Sequence, residues 1–228
     1  MPLRRSGGLS GSMPDALAPC IYVLAGTNGA GKTSLLGAVL EQREVEFYNP
    51  DAAARELRAA HPRLDQEEAN EKAWLMGRDL LQRAITERRD FAFETTLGGK
   101  TITALLNRAL ETGLEVRVWY MGLKNPELHL ARVRARVLSG GHDISERRIR
   151  QRYVSSRANL VRLLPRLTEL NVYDNSFDAD PLTGQTPQPR LILRMDQGRI
   201  ISRCEDSALP EWAKPIMGQA LSVGRLGA

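Results

Sequence analysis

Near the start of the chain, LAGTNGAGKTSL (Leu24 to Leu35) packs three glycines, one lysine and three hydroxyl side chains into twelve residues. Glycines turn the chain tightly and leave bare N–H groups within reach of an anion, and a fixed ammonium beside them adds charge. The spacing G-x-x-x-x-G-K-[ST] is met by Gly26, Gly31, Lys32 and Thr33. The loop of Gly26, Thr27, Asn28, Gly29, Ala30, Gly31, Lys32, Thr33 and Ser34 therefore reads as a P-loop that takes ATP with Mg²⁺. Loop amides and the following helix end hold the α- and β-phosphates, Lys32 reaches the β- and γ-phosphates, and the Thr33 hydroxyl is the metal ligand.

Further residues extend the chemistry to group transfer. Asp51, at the end of an apolar stretch, is placed to take a proton from an attacking alcohol; as an alternative it is the N-cap of the helix DAAAREL. Glu94 and Thr96 end the segment FAFETTL, where a carboxylate needs a partner such as a substrate hydroxyl, a hydrated metal or an arginine. Lys100 follows Gly98-Gly99, as a second phosphate contact or a solvated helix start. Between Leu128 and Arg157 stand eight arginines. Helical spacing puts Arg132 and Arg136 opposite the stripe Leu130, Val133, Val137, and Arg148 and Arg152 beside the stripe Ile149, Tyr153, Ser156, Leu160. Joined by SGGHD, the two helices read as a lid whose Arg136, Arg148 and Arg152 meet charge on the transferred phosphate, with His142 open between phosphate contact and loop packing.

These side chains need a scaffold, and the pattern supplies one. CIYVLAG (Cys20 to Gly26), EVEFYNPD (Glu44 to Asp51), FAFETTL, LEVRVWYMGL (Leu114 to Leu123) and LNVYDNS (Leu170 to Ser176) read as strands. Helices are expected over Ser34 to Gln42, after Asp51, from a capping box at Asp65 and Glu68 to about Arg89, and from Lys100 to a stop at Gly113. Two more start at Asn125-Pro126-Glu127 and at Ser145. In the long helix Ala69, Ala73, Met76, Leu80 and Ala84 are the expected core stripe. Arg190 to Glu205 reads as a terminal hairpin around Gln197-Gly198. Alternating strands and helices predict an α/β, three-layer sandwich on a mainly parallel five-stranded sheet, with the site at the carboxyl ends of the strands. Residues 1–18 are expected to be a disordered leader, and residues 19–228 one domain with its lid at about 126–164.

With 228 residues the chain can bury a full core. Its two cysteines, Cys20 and Cys204, sit in apolar contexts without metal-ligand spacing, and no apolar run is long enough for a membrane span. A cytoplasmic protein is expected. The net charge of +5 suits anionic partners, while 5% aromatic content argues against stacked nucleic-acid bases.

In combination GTNGAGKTS, YNPD, FETTL, RVRARVLSGGHDISERRIRQRYVSSRANL and VYDNS resemble the zeta-toxin-like P-loop kinases, over about Ile21 to Ser176. The resemblance implies an adenylate-kinase-like P-loop NTPase fold and ATP-dependent phosphorylation of a sugar hydroxyl, that of UDP-N-acetylglucosamine in the characterised toxins, with a small antitoxin protein as partner. It makes Lys32 the phosphate lysine, Asp51 the catalytic base, Glu94 and Thr96 the substrate holders, and Arg136 the first of two γ-phosphate arginines. The GGH form of the loop places His142 where the second arginine stands, leaving Arg148 or Arg152 to replace it. A polynucleotide kinase and a regulatory ATP-binding module are the competing readings.

Overall fold

The computed structural model describes residues 18–35, 37, 45, 47–138, 141, 143–177 and 188–226. The expected leader up to residue 17, most of the helix expected after Leu35, and His142 lie outside them. The strands are β1 (Cys20–Ala25), β2 (Phe47–Tyr48), β3 (Phe91–Thr95), β4 (Glu115–Gly122), β5 (Glu169–Asp174), β6 (Arg190–Asp196), β7 (Arg199–Arg203) and β8 (Arg225–Leu226). They form one sheet in the order β2-β3-β1-β4-β5-β6-β7-β8. The first five run parallel, so Gly26, Asn49, Thr96, Leu123 and Asn175 all follow strand ends on one edge. The expected hairpin continues this sheet, with β6 antiparallel to β5 and β7 antiparallel to β6. Its turn has positive φ at Gln197 (48°) and Gly198 (72°), the backbone that a two-residue hairpin requires.

The helices are α1 (Pro50–Ala60), α2 (Gln66–Thr86), α3 (Lys100–Glu111), α4 (Pro126–Leu138), α5 (Glu146–Leu163) and α6 (Lys214–Val223). Apolar residues of α2, α3, α5 and α6 form one large core with the sheet, through Leu81, Leu106, Leu160 and Ile216. On the opposite face Tyr22, Leu24, Trp119 and Met121 cluster with Ala30 and Leu35 of the loop. Cys20 belongs to that second core, and burial pushes its thiol up to about 12, as befits an inert packing residue. Cys204 is half-buried. No described helix is long and apolar enough to cross a membrane.

Local signals explain most boundaries. The Asp65 and Glu68 capping box opens α2, with bonds of 2.8 and 3.1 Å. Asn125 caps α4 through the Leu128 amide, and Gly113 (φ 77°) ends α3. Three expectations need correction. Among the described residues the second strand is Phe47–Tyr48, because Pro50 already starts α1, and the side chain that caps α1 is Asn49 rather than Asp51. In the long helix Met76 is exposed while Gly77 is buried, because the ring of Tyr48 fills the space beside Gly77. The sequence pattern also missed α6, and Trp212 just before it, whose ring packs on Gly122 and whose indole N–H donates to Asp174 at 3.1 Å.

Tyr48 anchors the short β2 by donating its hydroxyl to the Ala73 carbonyl. A Cβ on Gly77 would lie 2.5 Å from the Tyr48 ring. Gly→Ala inside a helix normally stabilises by roughly 0.5–1 kcal/mol. Here overpacking, about 1–3 kcal/mol, outweighs that gain. Gly77→Ala should therefore lower the urea midpoint, and a raised midpoint would show that the contact yields freely.

Candidate active site

The loop after β1 is built around three glycines in conformations that other residues rarely adopt, with φ of 140° at Gly26, 78° at Gly29 and 87° at Gly31. Each is also crowded. An added Cβ would lie 2.2 Å from the Met121 carbonyl oxygen at Gly26, 2.8 Å from that of His129 at Gly29, and 2.5 Å from Asn175 Nδ2 at Gly31. The backbone can approach its neighbours only because no side chain is there. Asn175 donates to the Ala30 carbonyl at 2.9 Å, tying the loop to the end of β5. Thr33 and Ser34 are exposed in the turn Lys32–Leu35.

Lys32 is buried, at 7% exposure, and its ammonium turns back to donate to the Gly26 carbonyl at 2.9 Å. It also pairs with Glu94 Oε1 at 3.2 Å. The partner that Glu94 needed is thus the phosphate lysine, not an arginine. Its other oxygen accepts from Asn49 Nδ2 at 3.2 Å, while Asn49 Oδ1 accepts from the amides of Asp51 and Ala52. One asparagine therefore spaces the carboxylates of Glu94 and Asp51 by bonding to the first and to the backbone of the second. Asp51 is half-exposed in the first turn of α1 and faces Arg136 Nη1 at 3.6 Å. The Nε and Nη2 of Arg136 are buried without a partner among the described residues. Gly141 makes room for this arginine: its N–H bonds to the Arg136 carbonyl at 2.9 Å, and a Cβ there would strike the Arg136 side chain.

The arginines expected to form a lid divide. Arg152 reaches the loop, donating to Asn28 Oδ1 at 2.8 Å. Burial draws its pKa below the usual arginine value; neighbouring Arg148 adds to this and Asp51 opposes it. Arg148 itself pairs with Glu67 at 3.2 Å in an exposed contact worth little. Arg132 diverges from Arg136 and donates to the Phe177 carbonyl. Thr96 is half-buried at the end of β3, and Lys100 stands exposed at the start of α3, outside this cluster of bonds. α5 closes on the segment between them: Asn159 donates to the Leu97 carbonyl at 2.8 Å, and Arg152 packs on Gly98. Residue types and spacing gave no sign of Asn49 as the spacer or of His129. The buried His129 ring bonds through Nδ1 to the Asn28 carbonyl at 2.8 Å. Because the partner is a carbonyl, Nδ1 carries the proton.

The sequence model of the zeta toxin family matches residues 8–180. A protein of Haemophilus influenzae, described as uncharacterized, is 37% identical over 129 residues, which span 56% of this chain and 88% of that protein. Among solved structures the fold is similar to one from the PezAT chromosomal toxin-antitoxin system of Streptococcus pneumoniae, with a TM-score of 0.52 and 19% identity over 78% of each chain. It is also similar to a chain of AvrRxo1-ORF1:AvrRxo1-ORF2 solved with ATP, with a TM-score of 0.57 and 14% identity over 92% of this chain and 78% of that one.

Burial pulls the pKa of His129 from 6.5 to about 4, and the nearby cations Lys32, Arg132 and Arg157 add to this. Within that window the unfolded chain takes a proton that the folded chain refuses. Its contribution to stability is therefore full above pH 6.5 and falls towards pH 4, by up to about 3 kcal/mol at 1.36 kcal/mol per pKa unit. Urea unfolding of wild type and His129→Asn across this range should show the extra loss in wild type only. Parallel curves would place the proton elsewhere.

Proposed function

The chain belongs to the zeta toxin family, and from that premise we propose that it is an ATP-dependent kinase that phosphorylates a hydroxyl of a nucleotide sugar, UDP-N-acetylglucosamine or a related small molecule. The observation that carries this reading is the pairing of Asp51 with Arg136 beside the loop, with two buried nitrogens of Arg136 left to meet an anion. A module that only bound nucleotide would have no use for a half-exposed carboxylate fixed there. Three crowded left-handed glycines and a buried lysine fit the phosphates of ATP, and Thr33 would hold Mg²⁺. Bound ATP-Mg²⁺ supplies the phosphoryl group.

The chain's own residues divide the remaining work. Lys32 exchanges part of its pairing with Glu94 for phosphate, which releases a carboxylate oxygen towards the acceptor. Glu94 and Thr96 orient the acceptor hydroxyl, and Asp51 accepts its proton as the oxygen attacks. Arg136 and Arg152 face the charge on the transferred group, one from each lid helix. Arg148 and Lys100, on the rim, attract anionic ligands rather than touching the reacting atoms. PezAT is named as a toxin-antitoxin system and AvrRxo1-ORF1 was solved with ORF2, which supports an antitoxin protein as partner.

The direct test is incubation with ATP-Mg²⁺ and a panel of nucleotide sugars, monosaccharides and 5′-hydroxyl RNA, read by mass spectrometry. A phosphate-sized gain on a nucleotide sugar is expected, and gain on RNA alone would replace the reading with a polynucleotide kinase. Asp51→Asn should reduce transfer by roughly 10²- to 10⁴-fold while ATP affinity persists, as for loss of a general base. Equal loss of transfer and affinity would make Asp51 structural. Arg136→Ala should lower kcat more than it raises KM for ATP, since its charge acts on the transition state. An unchanged kcat would remove Arg136 from the mechanism.

A further inference from the structure

Asn28 is gripped from both lid helices. Arg152 of α5 donates to its side-chain oxygen at 2.8 Å, and His129 of α4 bonds to its main-chain carbonyl at 2.8 Å. Both Asn28 and His129 are buried, so without the imidazole this carbonyl would be a desolvated acceptor. The next residue, Gly29, lies so close to the His129 backbone that a Cβ would approach its carbonyl oxygen to 2.8 Å. The ring is itself held edge-on to Tyr153, with centroids 5.6 Å apart, and Tyr153 is braced by Arg157 and by its bond to the Lys124 carbonyl.

We propose that His129 is a positioning residue for the phosphate loop: its Nδ1–H holds the Asn28 carbonyl and thereby aims the Gly29 amide. The reason is the planarity of the peptide. Across a trans bond the C=O of Asn28 and the N–H of Gly29 point in opposite directions, and no peptide among the described residues is cis. A carbonyl pinned to α4 turns the following N–H away from α4, into the loop. The left-handed φ of Gly29 then continues the turn towards Gly31 and Lys32. The shape of the anion cradle is thus imposed by the lid helix as well as by its own glycines. Burial, helped by the charges of Lys32, Arg132 and Arg157, favours the neutral ring, so His129 acts as a donor and adds no charge to the site.

This inference rests on the reading that the loop binds ATP, and the test separates the two. In His129→Asn the amide Nδ2 stands close to where Nδ1 stood and keeps a donor; His129→Leu has a similar size and no donor. ATP-Mg²⁺ affinity should fall roughly tenfold in His129→Leu, the worth of one buried hydrogen bond, and stay within about threefold of wild type in His129→Asn. Hydrogen exchange of the peptide spanning residues 24–33, measured without nucleotide, should quicken in the leucine variant alone. Equal behaviour of the two variants, or wild-type affinity and exchange in His129→Leu, overturns the proposal. If wild type does not bind ATP, the kinase reading fails and the exchange comparison still decides the role of His129. Should His129→Leu not fold, His129→Gln replaces it: its amide nitrogen lies nearer the Nε2 position, so the donor is misplaced and the same losses are expected.

Discussion

A lysine ammonium at 7% exposure cannot stand unpaired, and the site is organised by how Lys32 is satisfied. Its charge is met by Glu94, Glu94 is held by Asn49, and Asn49 caps the helix that carries Asp51. Asp51 in turn meets Arg136, whose helix is anchored to the loop through His129. The circuit closes on the loop from which it started. Lys32, Glu94, Asn49 and Asp51 stand at strand ends or at a helix start, and Arg136 in the last turn of α4, so the parallel sheet brings residues distant in the chain to one edge. Displacing Lys32 towards an anion must therefore be felt at Glu94 and Asn49 before any acceptor arrives.

The eight arginines show how one composition serves several ends. Arg150 bonds to Glu127 and Glu146 at 2.8 Å, stitching the outer faces of α4 and α5 together. Arg157 lies on the ring of Tyr153, and Arg148 reaches across to α2. Arg152 bonds to the loop at Asn28, Arg132 packs beside Gly29, and Arg136 faces Asp51. Two buried nitrogens of Arg136 have no partner among the described residues, while Arg152 is bonded to the loop and drawn below the usual arginine range by its burial. Unsatisfied donors are costly when nothing fills the space they face, which sets Arg136 apart from arginines that merely dress a surface.

What could be read from the residues was what is local. The tight glycine turns after β1, the Asp65 and Glu68 capping box, the Asn125 cap and the hairpin turn each depend on neighbours within a few positions, and the structure holds them as expected. Asn49 and Asp51 are both good helix caps two residues apart, and only the point where β2 ends decides between them. Met76 and Gly77 exchange places because Tyr48 comes from another strand, which no helical period reveals. His129 and Arg152 meet Asn28 across 101 and 124 residues, and Trp212 meets Asp174 across 38. Such contacts arise from topology, and a single sequence carries no mark of them.

The sheet has eight strands, yet those at its two edges, β2 and β8, are only two residues long. Among the described residues β2 pairs with only Ala92 and Phe93 of β3, and β8 with only Arg199 and Ile200 of β7. Such short edges disfavour the addition of a foreign strand at these two places. Docking through side chains and helix faces, which demands a matched surface, is the mode of recognition that such edges leave favoured.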